Sequence, residues 1–512
     1  MFPTILTLPS RVTVQTELYT TEFRGAEKIT KDDLTLSIKN NEIRLSANKT
    51  PVKAIVLRWD AEMPENARFC GDHWERGYGD LEWRGYVPHR VMPWYFYAYD
   101  RKAFALYGVK VRPDALCSFR CDPGGITLTL DVSCGADGTV LSGRELLCAA
   151  LVFSRAETDD PFAAAAEYTK LLSESAVFPT APVYGYNNWY YAYGNSSERE
   201  IYAAAQELAR FTEGIANRPY MVIDDCWQKE RPSGFIGGDW RCSNPRFSDM
   251  GDLAKKISEL DVLPGIWMRP LQNRADYIPD MIYRDKADYI LDPSIPETLE
   301  IIKEDIRTLT DWGYKLIKHD FSTNDMIGAW GFQRTEPLCR ENIHFANRNL
   351  TTAELMKLLY KTIRDAAGGK ALVLGCNTVG HLGVGYMELN RTGDDTSGRE
   401  WERTRKMGVN TLAFRMPQHN AFYAADADCV GITPAVPWEK NRQWLDLLAN
   451  SGTPLFVSVA PASLSPAQQE ELIKALHTAA ERQPTGIPKD WMETCCPAHW
   501  VFGEKEIIYD WY

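Results

Sequence analysis

The chain has 512 residues, 45% of them hydrophobic and 25% charged, with a net charge of −12, and its length predicts two or three domains rather than one core. The acidic balance is not offset by any Lys/Arg cluster, which argues against nucleic acid or an anionic membrane as partner. No run approaches the roughly 20 apolar residues of a membrane helix. The start, MFPTILTLPSRV, lacks a basic n-region and a cleavage site, and the twelve cysteines are scattered without C-x-x-C or zinc spacing. The reading is of a cytoplasmic protein in a reducing compartment, with no metal or cofactor.

Residues 1–180 read as an N-terminal β-sandwich. Runs such as VTVQTELYT, LTLSIK, EIRLSA, AIVLRW and ITLTLDVS alternate or are β-branched, with Gly, Pro, Asp and Asn between them. DPFAAAAEYTKLLSE predicts a connecting helix with Asp160 as N-cap and Pro161 at its first position. Over residues 181–462 short apolar runs alternate with helical stretches, as expected of a central (β/α)8 TIM barrel. The runs are VYGYNNW, YMVIDD, LPGIWM, LIKHDF, ALVLGC, MELNRTG, TLAFRM and PLFVSV. No glycine-rich βα turn supports a doubly wound sheet instead. Residues 463–512 predict a Ser-capped helix and a short C-terminal β region.

Polar residues stand where these predicted strands end, which in a barrel is where function collects. Strand two ends in Asp224 and Asp225, strand three in Trp267, strand four in Lys318, His319 and Asp320, strand five in Cys376 and Asn377, and strand six in Arg391 through Asp395. Alternation along LIKHDF puts Lys318 and Asp320 on one face and His319 on the other. A lysine so placed favours an ionised carboxylate, the form a nucleophile needs. The same alternation groups Arg391 with Asp395 and opposes Asp394. Asp426 and Asp428, in AADADC, read first as caps of a loop.

The segments YGYNNWYYAYG, VIDDCWQ, GGDWRCSNPRFSDM, LPGIWMRP, GYKLIKHDF, LVLGCN and NRTGDDTSGREW, in this order over about residues 183–460, resemble the α-galactosidases of glycoside hydrolase family 36, in clan D. The resemblance implies Asp320 as nucleophile and Asp395 as acid/base. It implies Asp224 and Asp225 at the galactose 4- and 6-hydroxyls, Lys318 at ring hydroxyls, and Arg391 and Cys376 near the 2-hydroxyl. Trp189, Tyr190, Trp267 and Trp240 would wall the pocket. Asn377, also expected to bind substrate, follows Cys376 where the family has glycine, and the C-terminal β region is shorter than the family's. A β-domain loop in DHWERGYGDLEW, with Asp72 or Trp74, would cover the pocket.

The implied activity is retaining hydrolysis of terminal α-D-galactosyl residues, from an α-galactoside oligosaccharide or glycoconjugate, by double displacement. It expects two carboxyl groups about 5–5.5 Å apart and an Asp395 raised by a drier setting beside a charge. α-N-acetylgalactosamine or β-L-arabinopyranose would keep the same stereochemistry. Transfer to a sugar acceptor and catalytically inert sugar binding are the other classes. A homo-oligomer is the family's lean.

Overall fold

The structure is a computed structural model that describes residues 1–229, 238–334 and 336–512. Two antiparallel sheets form the N-terminal part. One runs in the order Thr20–Arg24, Arg11–Thr16, Val52–Asp60, Gly125–Asp131, Leu116–Asp122, Met92–Pro93. The other runs Lys28–Lys31, Leu34–Lys39, Glu42–Ser46, Glu145–Glu157, Ala103–Val109, Tyr95–Tyr99, Arg68–Gly71. Alternation in RVTVQT and LTLSIK buries Val12 and Val14, and Leu34, Leu36 and Ile38, as sheets with one core-facing side require. Ala103–Val109 is buried nearly throughout because helix Pro161–Lys170 packs on it. That helix has the expected cap, with Asp160 accepting from the Ala163 N–H at 2.9 Å.

The third sheet is parallel throughout. Its strands are β1 (Tyr184–Asn187), β2 (Tyr220–Ile223), β3 (Leu263–Met268), β4 (Leu316–His319), β5 (Leu372–Gly375), β6 (Leu389–Arg391), β7 (Ala424–Asp426), β8 (Cys429–Ile432) and β9 (Leu455–Val459). The order is β7-β6-β5-β4-β3-β2-β1-β9-β8. Its two end strands, β7 and β8, are consecutive in the chain, with only Ala427 and Asp428 between them. Such an order forces the sheet to curl until its edges meet. Asp428 sits at φ +70°, and this left-handed turn breaks one strand into two.

One predicted strand is a helix. TLAFRM lies in a helical stretch made of Trp401–Thr404, a π turn over Arg405–Asn410, Thr411–Arg415 and a 3-10 turn over Met416–Gln418. Every residue from Gly408 to Gln418 is buried, so no polar face marked the helical period, and a short apolar run cannot be assigned by periodicity alone. The seventh position in the sheet belongs to AADADCVGI. At the C-terminus, Ser465 caps helix Pro466–Ala479 in a capping box. Three antiparallel strands follow, Ile487–Pro488, His499–Phe502 and Lys505–Ile508. All twelve cysteines are free. Among the described residues no helix is long and apolar enough to cross a membrane, and no cluster of His, Cys, Asp and Glu could hold a metal.

Candidate active site

The carboxyl ends of β2 and β4 both finish in acid followed by a left-handed residue. After Asp225, Cys226 takes φ +76° and donates its N–H to Asp225 at 2.6 Å. After Asp320, Phe321 takes φ +62° and donates its N–H to Asp320 Oδ1 at 2.7 Å. A non-glycine residue in that region is strained, and here each strained turn aims an N–H at the carboxylate before it. The other oxygen of Asp320 accepts from Trp267 Nε1 of β3 at 3.2 Å.

The charge partner of Lys318 is not the one the sequence expectation gave it. Its ammonium is 2.6 Å from Asp224 Oδ2, not on Asp320, and both side chains are less than a tenth exposed. Asp224 also accepts from Asn187 Nδ2 of β1 at 2.7 Å. Burial, the largest single influence, lowers the Lys318 ammonium, but Asp224 with Cys376 and Asp428 together outweigh it and the lysine is raised. Asp225 takes Gln228 Nε2 at 2.7 Å. Burial, with Asp224 and Asp320 adding to it, pushes Asp225 up to about 7.

Across the mouth, Arg391 at the end of β6 is 1% exposed. It donates to Cys376 Sγ at 3.2 Å, to Asp428 Oδ2 at 2.7 Å and to Asp395 Oδ1 at 3.3 Å. Cys376 is the link between the two sides, its thiol pushed up by burial and then by the charge of Asp320. Asp428 also accepts from the Tyr190 hydroxyl and from the Thr396 N–H at 2.8 Å. Sequence reasoning had ranked this aspartate as a loop cap. Its only signal was its place at a strand end, and the break between β7 and β8 turns it inward.

Asp394 and Asp395 part company as the alternation expected. Asp394 is held between Arg76 and Arg403, each at 2.8 Å. Asp395, its side chain 38% exposed, faces Arg391 at 3.3 Å and Arg76 at 3.7 Å. The expectation that Asp395 would be raised is overturned. Burial pushes it up, but Arg391, Arg76, Lys318 and Arg403 together hold it below the ordinary carboxylate range.

Arg76 comes from the loop after strand Arg68–Gly71, where the sequence had marked Asp72 and Trp74. Those two are structural supports. Asp72 accepts from Arg415 Nε at 2.8 Å, and Trp74, 4% exposed, packs edge-on to Trp94. The loop is sewn to the segment after β6 by Gly77 N–H on Thr392 O at 2.8 Å and Asp394 N–H on Gly77 O at 2.9 Å. Any side chain at Gly393 would stand 2.0 Å from Met407 O, so the close approach needs glycine.

The remaining expected residues divide. Trp267 borders Asp320, and Trp189 is half-buried at the end of β1, 5.8 Å from the ring of Tyr193. Trp240 does not stand open as a wall. It is 0% exposed, wedged between Trp227 and Trp267 with its N–H on Gln272 O at 2.8 Å. Asn377, also 0% exposed, turns its amide to Glu75 of the β-domain loop, away from the substrate role the sequence gave it. His319 is buried against Tyr360 and pushed down to about 4 by burial, as its outward face predicted. The first glycine of GGDWRC, Gly237, lies outside the described residues.

No family model matches the chain. The fold is shared with solved structures at low identity. The α-galactosidase TtGalA from Thermus thermophilus, in complex with p-nitrophenyl α-D-galactopyranoside, matches with a TM-score of 0.62 and 18% identity over 94% of this chain and 99% of that one. A GH36 α-galactosidase AgaA variant from Geobacillus stearothermophilus, in complex with raffinose, matches at 0.59 and 14% over 92% and 71%. The galactosidase domain of the α-galactosidase-sucrose kinase AgaSK matches at 0.58 and 15% over 92% and 66%.

Proposed function

We propose that this protein is a retaining exo-glycosidase that removes terminal α-D-galactosyl residues from oligosaccharides. The observation that carries the reading is the pair of carboxylates at one sheet mouth. Asp320 is aimed by Trp267 and Phe321, and Asp395 is faced by Arg391, which also donates to Cys376, whose thiol feels the charge of Asp320. Asp320 attacks the anomeric carbon, and Asp395, which must first take up a proton against the pull of Arg391 and Arg76, passes it to the departing oxygen. The ionised Asp395 then takes a proton from the water that releases the sugar, so configuration is retained. Asp224 and Asp225, with Lys318, accept and donate hydrogen bonds to sugar hydroxyls, and a sugar without the axial 4-hydroxyl leaves buried groups unpaired.

The curled sheet over residues 181–462 is read as a (β/α)8 barrel, with β7 and β8 one interrupted strand. Residues 1–180 are then its β-sandwich partner and 463–512 its C-terminal cover. That the similar structures hold nitrophenyl galactoside, stachyose and raffinose supports an α-galactoside as ligand. The twelve free cysteines fit a reducing, cytoplasmic setting.

A panel of aryl glycosides tests the reading, with NMR recording the first anomer released. Release of α-galactose from the α-galactoside is expected. Release of β-galactose, or turnover confined to another glycoside, would sink it.

A further inference from the structure

Outside the residues already given roles, Arg76 is the charged group that faces Asp395, and it comes from the N-terminal half of the chain. We propose that Arg76 is a positioning residue for Asp395, holding Asp394 in a fixed ion pair while presenting its second amino group to Asp395. This rests on the reading of Asp395 as the acid/base.

Three observations carry it. Asp394 already has a cation in Arg403, at 2.8 Å, so neutralising Asp394 does not require Arg76. The guanidinium is itself 7% exposed at its side chain and lies over the Trp330 ring, 5.0 Å from its centroid, which fixes its plane. Its Nη1 then faces Asp395 at 3.7 Å, from the opposite element to Arg391. Asp395 thus sits between two guanidinium groups from separate domains, and neither alone fixes where its carboxyl points.

The charges around Asp395 define what Arg76 does. Arg391 of β6 is nearest, at 3.3 Å, then Arg76. Lys318 of β4 and Arg403 of helix Trp401–Thr404 act from further off. Asp394 is its chain neighbour, Asp428 shares Arg391 with it, and Tyr190 feels its charge. Removing Arg76 takes away one positive charge and leaves the acidic neighbours in place, so Asp395 must hold its proton to higher pH.

The docked loop does not depend on the side chain of Arg76. Gly77 and Asp394 are joined through backbone, and Arg415 holds Asp72 and the Glu75 carbonyl. Arg76→Met should therefore fold.

The test is kcat/KM against pH for nitrophenyl and methyl α-galactosides, using the full chain as wild type, Arg76→Met, Arg76→Lys and Asp395→Asn. In Arg76→Met the alkaline limb should move to higher pH by about one unit or more. Arg76→Lys should return it towards the wild-type position. Arg76→Met paired with Asp394→Asn, which removes both members of the ion pair, should move the limb in the same direction but less far, because the acidic neighbour that favours the proton is lost as well, and it guards against a fold defect in the single variant. A folded Arg76→Met with an unmoved limb would overturn the proposal. A limb that persists in Asp395→Asn belongs to another group; the acid/base reading then fails, and the positioning role that rests on it fails with it.

Discussion

The ammonium of Lys318 lies 2.6 Å from Asp224, reaching over β3 to the end of β2, while Asp320 on its own strand takes its donors from Trp267 and Phe321. The ion pair of the lysine and the positioning of Asp320 are therefore separate tasks. Lys318 and Asp224 form a buried pair of opposite charges. Asp320 is fixed by two N–H groups that need no cation.

That pair makes a stability prediction. Removing one partner of a buried ion pair leaves the other charge uncompensated, at a cost of about 3–5 kcal/mol. Lys318→Met and Asp224→Asn should each lower stability by that order, and the double variant should lose clearly less than their sum. Urea unfolding of the three variants measures the coupling. Strictly additive losses would show that the two charges do not depend on each other.

The two carboxylates separate by the azide products of their variants. Asp320→Ala should lose more than about 10⁴-fold in kcat, as expected for a nucleophile, with azide restoring turnover through β-galactosyl azide. Asp395→Ala should react with activated aryl galactosides and form α-galactosyl azide, because the glycosyl-enzyme still forms. Product NMR decides the assignment, and exchanged anomers would reverse the two roles.

Asp225 predicts a pH-dependent stability. Burial first, then Asp224 and Asp320, push it from 3.8 to about 7. The folded chain then binds more protons than the unfolded chain between those values, so this group makes stability fall as pH rises from about 4 to 7 and level off above. Asp225→Asn should flatten that decline. Unfolding free energies measured from pH 4 to 8 test it, and an unchanged slope would assign the titration elsewhere.

Asn377 predicts a domain-joining effect. Its amide meets the buried Glu75 carboxyl, which also accepts from the Gly331 N–H at 2.7 Å and from the Tyr78 hydroxyl. Asn377→Ala should cost about 1–3 kcal/mol, the penalty of a buried acceptor left short of a donor. Since the amide faces Glu75, KM for the nitrophenyl galactoside should move by less than about threefold. A large KM change with unchanged stability would return Asn377 to the substrate side.

Much of this was readable in the chain order of residues. A strand buried on both faces is written as an unbroken apolar run, so the polar residues that end YMVIDD, LIKHDF and MELNRTGDD stand out, and alternation from Arg391 separates Asp395 from Asp394. The same logic failed in TLAFRM, where complete burial erased the difference between a strand and a helix. It also passed over Asp428, because a strand broken by one left-handed residue reads as a loop, and the inward turn of its side chain is set by β6 and β9 on either side.

What the sequence determined alone is most of the order of elements and most of the acids at their ends, since both follow from local periodicity and burial. The tertiary structure decided which charges face which acids. Arg76 is 319 positions before Asp395, Glu75 is 302 before Asn377, and Lys318 is 94 after Asp224. Electrostatic pairing depends on distance through space, and no local pattern records that an arginine beside the N-terminal antiparallel sheets reaches an aspartate at the mouth of the parallel one.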